Sequence, residues 1–295
     1  MELTDLRYFA NVARAGSFVR GAKLSHVSPP AISKTIKKLE DELGRQLFVR
    51  TTRRATLTES GEILLAHAQR VLDELESLGE SLRSSSASVE GDLRIAANEV
   101  FSIHLLPAAL SELLNEHPKI MPRVFEMIPQ RMEPLLRDGR LDVGFTIGAS
   151  ASSEIESRTL GRSSGVLCAG RRHPLYARGR VRPKDLLRYP SVVPRFFEME
   201  HLPPLDQWPE ERCPRRVGAT IELLQMGVEL TLHGTHLGYF PEITVSPDLA
   251  ARRLKALSGI APGRPFELCA LTRRGAPAKA SVRALVERVA ALVAK

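Results

Sequence analysis

The sequence predicts an α + α/β protein with a small helical head, one long connecting helix and a larger α/β part. Three observations predict it. Two amphipathic helical patterns flank a three-residue turn near the N-terminus, one unbroken helical pattern spans residues 58–83, and strand-like and helix-like runs alternate after residue 90. The chain has 295 residues, 43% of them hydrophobic, so it can build about two domains with buried cores.

Residues 17–43 form the centre of the head. Ser17 and Ser28 are placed to cap two successive helices, and Gly44 is placed to end the second one. Apolar residues at spacings of four, three and four give the second helix one buried stripe: Ile32, Ile36, Leu39 and Leu43. Its opposite face carries Ser33, Lys34, Lys37 and Lys38. Such a helix pair is typical of a DNA-reading helix-turn-helix, although a Lys-rich face is usually only a solvated surface.

Two further elements complete the predicted head. Residues 3–15 predict a first helix that packs under the helix-turn-helix and ends at Gly16. Residues 47–50 and 55–58 are short β-prone runs that predict a hairpin, or wing. The wing is basic, and we expect its arginines to reach phosphates or the minor groove: Arg50, Arg53 and Arg54. The alternative for this segment is an ordinary solvated turn.

Most of the net charge lies in the head. The whole chain has a formal charge of +8 and an isoelectric point of about 9.7, which favours a polyanionic partner. Residues 1–58 hold eleven lysines and arginines against five acids, so six of the eight surplus charges lie there. We therefore expect double-stranded DNA to bind at this end of the chain.

The cysteines and the N-terminus indicate a reducing compartment. Cys168, Cys213 and Cys269 are odd in number, far apart and without a CxxC motif, so no disulfide framework is visible. The opening MELTDLRYF lacks the basic and apolar regions of an export signal, and no apolar run approaches 18 residues. We expect a cytoplasmic protein without a membrane span.

Residues 58–83 predict a single helix about 39 Å long, capped by Thr58. Its apolar residues recur at spacings of four and three: Leu64, Ala68, Val71, Leu75, Leu78 and Leu82. This pattern is typical of a dimeric coiled coil, and a dimer would bring two heads to two half-sites. The alternative is an amphipathic helix that packs on its own domain.

A flexible composition at residues 84–88 marks a domain boundary, and an α/β pattern follows it. The first elements predict a parallel βαβαβ sheet, with strands at 93–97, 123–127 and 141–147 and helices at 102–116 and 130–138. A second set alternates in the same way, with strands at 165–169, 191–193, 237–240 and 266–272 and helices near 183–187, 221–233 and 280–293.

With these elements in place, the whole length of the chain resembles the LysR-type transcriptional regulators. The head carries the resemblance through LRYFANVARAGSF, the helix at residues 28–43 and ELGRQLFVRTTRRATLTESG. The α/β part carries it through GDLRIAA, LLPAAL, LLRDGRLDVGFTIG, RRHPL and DLLRYPSVV. No single segment decides the resemblance, but their order and spacing make it specific.

The resemblance implies three parts: a winged helix-turn-helix at residues 1–58, a dimerising linker helix and hinge at 59–90, and an effector-binding domain at 91–295. That domain would have two lobes similar to periplasmic binding proteins, one at 91–161 and 268–295 and the other at 162–267. A small-molecule effector would bind between the lobes. The protein would form a homodimer, or a homotetramer as a dimer of dimers, on a dyad-symmetric operator.

Two residues depart from the pattern that the family often shows. Ser25 stands where the family often has Leu, and Leu24 could fill the same core space. Pro29 stands where the family often has Gln, and it removes a side chain that could hydrogen-bond a base edge. Which bases are read therefore stays open.

The candidate DNA contacts lie on the head. In the major groove we expect residues of the second helix of the pair: Ser28, Pro29, Ala31, Ser33, Lys34 and Lys37. Base readout depends on Ser28, Ser33, Lys34 or their neighbours, because Pro29 offers no donor or acceptor on its side chain. We expect Arg20 and Lys38 at phosphates.

The candidate effector contacts lie where strands end, since open α/β sheets bind ligands there. They are Asn98, Glu99, Val100, Phe101, Ser102, Gln130, Thr146, Ile147, Arg195 and Phe196. Exposed N–H groups and a cap hydroxyl at Ser102 favour an anionic effector, and Arg195 could pair with it, whereas an ionised Glu99 would repel it. For each single residue, plain capping or packing is the alternative.

Catalytic chemistry finds little support in the sequence. His233 and His236 are the only close pair of histidines, and no third metal ligand is visible. No nucleophile elbow, P-loop or GxGxxG motif appears, so we expect neither an enzyme nor a cofactor. Cys168 fits a buried strand residue, while a redox role beside Arg171 and Arg172 stays open. A solute-binding or interaction protein whose head only dimerises is the alternative, and it would not need the basic wing.

Overall fold

The computed structural model describes residues 1–50, 55–82, 89–196, 204, 206–260 and 263–294, without the side chains of residues 50, 73, 74 and 76–82. The head and linker consist of α1 (Leu3–Ala15), α2 (Phe18–Leu24), α3 (Pro29–Leu43), β1 (Phe48–Arg50), β2 (Ala55–Leu57) and α4 (Glu59–Leu82). β1 and β2 pair antiparallel, with Phe48 opposite Leu57. The predicted winged helix-turn-helix is therefore confirmed, including the base of the wing.

One apolar core holds the helices of the head and the wing together. Three residues of the predicted α3 stripe are 0% exposed: Ile32, Ile36 and Leu39. Leu43, the fourth, is 41% exposed because the helix ends there. The Phe48 ring of the wing lies 5.4 Å from the rings of both Phe9 and Phe18. Such aromatic pairs contribute about 0.5–1.5 kcal/mol each beyond the burial of their area, so they fix the wing to the helices.

Thr58 joins the wing to α4. Its hydroxyl donates to the Gln46 carbonyl (2.7 Å) and accepts from the Gly61 N–H (3.0 Å), so it caps the helix as predicted. A Cβ at Gly61 would lie 2.1 Å from the Leu47 carbonyl oxygen, so only glycine allows this close approach. The start of α4 is therefore fixed to the head.

The first half of α4 packs on its own head, which corrects part of the predicted dimer seam. Ala68 is 1% exposed, and Leu64 packs beside it in the head core. A partner helix cannot reach Ala68 because the head already covers it. Val71 (41% exposed) and Leu75 (38% exposed) stay accessible, and the side chains of Leu78 and Leu82 lie outside the described residues.

Neither α4 nor any other described helix is long and apolar enough to cross a membrane.

A five-stranded sheet forms one body of the effector part, which we call lobe I. Its strands are β3 (Gly91–Ala97), β4 (Ile120–Glu126), β5 (Val143–Ile147), β6 (Ile155–Ser163) and β12 (Phe266–Arg273), in the order β4-β3-β5-β12-β6. β3 pairs parallel with β4 and β5, as predicted, but β12 pairs antiparallel with β5 and β6. The helices of lobe I are α5 (Glu99–His104), α6 (Leu106–Glu116), α7 (Pro129–Arg137) and α12 (Ala280–Val293).

The prediction of one helix at residues 102–116 is wrong, and the difference changes which residue caps the helix beside the site. The segment forms two helices, α5 and α6, separated at Leu105. Pro107 explains the break, because it lacks an N–H and its ring would clash with the preceding turn of a continuous helix. The chain becomes helical directly after β3, so Asn98 caps α5 and accepts from the Phe101 N–H at 3.4 Å. Ser102 is therefore not the cap.

The second body, lobe II, contains two smaller sheets. β7 (Gly165–Gly170) lies between β10 (Gly238–Pro241) and β11 (Leu254–Ala256) and pairs antiparallel with both, while β8 (Pro190–Pro194) and β9 (Arg216–Ile221) pair parallel. Its helices are α8 (Pro174–Arg178), α9 (Pro183–Arg188), α10 (Leu224–Leu232) and α11 (Glu242–Ala250). The sequence patterns missed β6, β9, β11, α8 and α11, which are short or, like β6 (IESRTLGRS), rich in polar residues.

Candidate functional site

The exposed face of α3 carries most of the predicted DNA contacts. Ser28 caps the helix, since its hydroxyl accepts from the Ala31 N–H at 3.4 Å. Lys34 and Lys37 are exposed, and their ammonium groups pair with no carboxylate in the described part of the chain. The other predicted contacts on described residues are also accessible, with Arg20, Pro29 and Ala31 exposed and Ser33 half-buried. This face therefore presents positive charge that the protein itself does not neutralise.

Lys38 differs from its neighbours on α3. Its ammonium lies 3.8 Å from Asp5 on α1 and 3.8 Å from Glu42 in the last turn of α3. Both pairs are partly exposed, so each contributes little to stability, but together they direct Lys38 toward α1. The structure thus favours Lys34 and Lys37 over Lys38 as free cations.

Glu40 positions the wing beside this face. Its carboxylate accepts from the Leu47 N–H (2.9 Å) and from the Phe48 N–H (3.4 Å), which ties α3 to the start of β1. Arg50 is the last residue of β1, and its side chain lies outside the described residues. The predicted contacts Arg53 and Arg54 lie outside them as well. The base of the wing is therefore set against α3.

A cleft of about 920 Å³ lies between the two lobes. A pocket of this size is typical of small-molecule sites. Seven of the predicted effector contacts line it: Asn98, Glu99, Val100, Gln130, Thr146, Ile147 and Phe196. They come from the ends of β3 and β5, from the starts of α5 and α7, and from the segment after β8. The rule that ligands bind at strand ends therefore located the cleft.

Three predicted effector contacts do not line the cleft. Phe101 is 0% exposed, and its ring packs 5.4 Å from that of Phe145 in the core of lobe I. Ser102 lies inside α5, because the helix begins earlier than predicted. Arg195 is absent from the lining, although Phe196 next to it belongs to the lining. The proposed pairing of Arg195 with an anionic effector thus loses its support.

Other residues of the cleft were not predicted from the sequence. Glu133 lies one turn after Gln130 on α7, so helical spacing could have found it. The missed residues of lobe II come from distant parts of the chain and had no local signal. The main polar ones among the missed residues are Arg162, Asp206, Gln207, Glu222, Tyr239, Arg264 and Glu267.

Glu99 connects the two lobes directly. It is the first residue of α5 in lobe I, and its carboxylate accepts from the N–H groups of Leu224 (2.5 Å) and Gln225 (2.8 Å) in lobe II. These are the first two residues of α10. The first N–H groups of a helix have no partner within it and carry partial positive charge, so a carboxylate is a favourable ligand for them. The N-terminus of α10 is therefore already occupied by a carboxylate of the protein.

Acidic residues outnumber basic ones in the cleft. Among the described residues of the lining, the acids are Glu99, Glu133, Asp206, Glu222 and Glu267, and the bases are Arg162 and Arg264. Arg162 pairs with Glu267 at 2.9 Å, so it does not offset the other acids. Burial, together with the charge of Glu99, raises the pKa of the nearby Glu126 carboxyl. The cleft is thus a poor environment for an additional negative charge.

A buried ion pair supports the lobe II wall. Asp206 lies 2.5 Å from Arg215, and both side chains are 2% exposed. The Arg215 guanidinium also lies 5.1 Å from the centre of the Trp208 ring, and Trp208 packs edge-on against Tyr239 with ring centres 5.0 Å apart. Asp206 and Tyr239 line the cleft, so this network fixes their positions. Burial raises the pKa of the Tyr239 hydroxyl, which accepts from the Gly263 N–H at 3.0 Å.

Among the described residues, the cysteine and histidine candidates do not form a redox or metal site. Cys168 is 0% exposed, and burial raises the pKa of its thiol, so the thiolate that a redox sensor requires is disfavoured. His236 contacts Thr235 at 2.9 Å. Within the described ranges, no three His, Cys, Asp or Glu residues lie close enough to hold a metal ion.

Two family models match the chain along almost its whole length. The model described as "Bacterial regulatory helix-turn-helix protein, lysR family" matches residues 3–62, and the "LysR substrate binding domain" matches residues 86–294. The chain belongs to the LysR family. In this LysR-family chain, the first match covers the head with the start of α4, and the second covers both lobes of the cleft.

Individual relatives agree with this assignment. The HTH-type transcriptional activator AaeR of Escherichia coli (strain K12) is 34% identical over 169 residues, which is 57% of this chain and 54% of that protein. The HTH-type transcriptional regulator YbhD of the same strain is 29% identical over 191 residues, which is 65% of this chain and 60% of that protein. The chain thus spans little more than half the length of these two curated relatives.

Solved structures of full-length proteins share the fold. A full-length OxyR variant from Pseudomonas aeruginosa matches with a TM-score of 0.78 at 23% identity, over 98% of this chain and 94% of that chain. A structure of full-length CbnR "complexed with the target DNA" matches with a TM-score of 0.60 at 22% identity, over 98% of this chain and 99% of that chain. At this level of identity the likeness establishes the fold alone. The order of head, linker helix and two lobes is thus shared by these two full-length proteins.

Proposed function

We propose that this LysR-family protein is a sequence-specific DNA-binding transcriptional regulator controlled by a small-molecule effector in the interlobe cleft. The exposed face of α3 is the main support for DNA binding. Lys34 and Lys37 are exposed there without ion-pair partners among the described residues, on a helix whose opposite face buries Ile32, Ile36 and Leu39. A wing fixed to the same helix by Glu40 extends this surface. Such a surface fits a major groove and its flanking phosphates.

We assign the DNA contacts as follows. The N-terminal turns of α3 read the major groove through Ser28, Pro29, Ala31, Ser33, Lys34 and Lys37. Arg20 contacts phosphates, with a smaller contribution from Lys38 because of its ion pairs with Asp5 and Glu42. The wing adds Arg50, Arg53 and Arg54 at phosphates or in the minor groove.

A symmetric dimer matches this DNA-binding role. We place its contacts on the exposed residues of α4, Val71 and Leu75, continuing to Leu78 and Leu82. The functional division is a head at residues 1–58, a linker at 59–90 and an effector domain at 91–295, in a cytoplasmic protein without catalytic activity. Its lobes are 91–161 with 268–295, and 162–267. Two heads of a dimer, or four of a dimer of dimers, then bind a dyad-symmetric operator.

Regulation follows from the position of the cleft. An effector that binds between the lobes with different affinities for two arrangements shifts the equilibrium between them, by at most that difference in free energy. The α4 helices carry the change to the spacing of the two heads. The bend or the occupancy of the operator DNA then changes.

A salt-series titration tests this function. The full chain is titrated against genomic fragments that include its own upstream region, from about 50 to 200 mM salt. We expect one fragment to bind thousands-fold more tightly than bulk DNA, with an affinity that falls steeply as salt rises. Uniform binding at roughly micromolar affinity or weaker would contradict the proposal, because the head would then supply charge without sequence readout.

A further inference from the structure

The contact of Glu99 with α10 has a consequence for which effectors the cleft accepts. An effector carboxylate or phosphate at this wall would seek the same two N–H groups, those of Leu224 and Gln225. Glu99 reaches them from the other lobe with both carboxylate oxygens. The position is thus filled before any effector arrives.

We propose that Glu99 is an internal carboxylate ligand of the cleft and determines its specificity: it occupies the place of an effector anion at α10, so the wild-type cleft selects effectors that carry no negative charge at that end. This inference rests on the proposed effector-controlled function. It reverses the expectation of an anionic effector.

The packing around Glu99 keeps it in this position. Leu224 and Ile243 of lobe II pack against the apolar core of lobe I, so the two lobes are already in contact on this side of the cleft. The Ile243 N–H also donates to the Ser163 hydroxyl (3.3 Å) at the end of β6. The lobes are thus in contact around Glu99, which reaches α10 in this arrangement.

The charges around Glu99 make its displacement unfavourable. Within the described part of the chain, Glu99 forms no ion pair. Arg162 of the lining pairs with Glu267, and Arg215 behind the lining pairs with Asp206, which leaves Arg264 as the other lining base. An effector anion that displaced Glu99 would add one negative charge to the cleft and leave the Glu99 carboxylate without its two N–H donors. An uncharged or cationic group meets neither penalty.

Acetate tests the proposal, because it is a free carboxylate of the same chemistry as the Glu99 side chain. Thermal unfolding of the full chain is followed in a sodium acetate series, with chloride keeping the ionic strength constant. Glu99→Ala exposes the two N–H groups, so acetate should stabilise this variant, by about 2–4 °C at ten times its dissociation constant. The wild type should show no acetate-dependent shift.

Glu133→Ala is the matched control. It removes one negative charge from the same cleft but exposes no helix N-terminus, so it should respond to acetate no more than the wild type. A response of Glu133→Ala equal to that of Glu99→Ala would overturn the proposal, since charge alone would then explain it. An equal response of the wild type, or none from Glu99→Ala, would overturn it as well.

A second variant covers the case in which Glu99→Ala does not fold. Glu99→Gln keeps the shape and one acceptor without the charge, so acetate should compete with it and produce a smaller shift that still exceeds that of the wild type. No shift in either variant overturns the inference. The operator titration of the wild type is run in parallel, because its failure would count against the proposed function, whereas a failed acetate response with intact operator binding counts against the role of Glu99 alone.

Discussion

The head and the effector part are held together over very different distances along the chain. In the head, the polar contacts that cap the helices and fix the wing join near neighbours: Ser28 with Ala31, Glu40 with Leu47, and Thr58 with Gln46, while Lys38 also pairs with Asp5 on α1. In the effector part they join distant residues: Arg94 with Asp142, 48 positions away, and Glu99 with Leu224, 125 positions away. The caps and the wing attachment of the DNA-binding surface thus depend mostly on local contacts, whereas the cleft wall at Glu99 depends on contacts that only the complete fold creates. Variants of each region should therefore affect different unfolding transitions.

The largest expected effect concerns the long-range contacts of lobe I. Asp142 is 4% exposed and lies 2.7 Å from Arg94 and 3.3 Å from Lys279. Asp142→Asn leaves two largely buried cations without their carboxylate, so it should destabilise the effector part by about 3–5 kcal/mol in chemical unfolding. Asp138→Asn, at a more exposed acid, should cost at most about 1 kcal/mol. Similar losses in both variants would show that the buried cluster is not what holds lobe I.

The same ion cluster predicts how the effector part responds to acid. Burial alone would raise the pKa of Asp142, but the hydrogen bonds and charge of Arg94, with the charge of Lys279, lower it below its ordinary value. A carboxyl with a lowered folded-state pKa stabilises fully above its unfolded pKa of about 4, and the stabilisation is lost as pH falls through the folded pKa. The advantage of the wild type over Asp142→Asn should therefore shrink below about pH 4. An advantage that stays constant from about pH 6 to about pH 3 would contradict this account.

In the head, Glu40→Ala should have a smaller effect that is confined to the head. It leaves the N–H groups of Leu47 and Phe48 without their acceptor, so the head should lose about 1–3 kcal/mol while the effector transition stays in place. Glu42→Ala, in the last turn of the same helix, removes only exposed ion pairs and should have a much smaller effect. If Glu40→Ala also shifted the unfolding transition of the effector part, the head and the effector part would not unfold independently.

Substitution of Lys34 should have the smallest effect on the free energy of unfolding. It should nevertheless weaken operator binding. Lys34→Ala removes an exposed cation, so unfolding should be unchanged, while operator affinity falls and the salt slope decreases by about 1. Arg53→Ala should act in the same direction. Lys38→Ala should weaken binding less, because its ammonium pairs with Asp5 and Glu42. If both Lys34→Ala and Arg53→Ala bound the operator with unchanged affinity, Lys34 and Arg53 would not be DNA contacts.

The fold was most predictable where the signals are local. Helix caps and apolar spacing gave the bounds of α1, and the same signals gave α3 from Pro29 to Leu43. The break between α5 and α6 was missed because the apolar pattern continues across Pro107. β6 was missed because only a few of its residues are apolar, yet it pairs with β12 along its whole length. The spacing of apolar residues within a strand does not show whether it pairs with a strand far away in the sequence.

The candidate site divides in the same way. Strand ends located Asn98, Glu99 and Thr146 on the cleft, because the position of a strand end follows from local patterns. The role of Glu99 did not follow, since its partners belong to α10 in the other lobe. Ala68 was assigned to a dimer seam because spacing alone cannot distinguish a partner helix from the head of the same chain. Tertiary packing decides between such alternatives.

Amide hydrogen exchange at the N-terminus of α10 tests whether Glu99 occupies it. Exchange at Leu224 and Gln225 is compared in the full-length wild type and in Glu99→Ala, under identical conditions and without added anions. We predict that these two amides exchange at least about tenfold faster in the variant, while amides in the middle of α10 keep their rates. Equal rates at Leu224 and Gln225 in the two proteins would contradict the claim that Glu99 holds them.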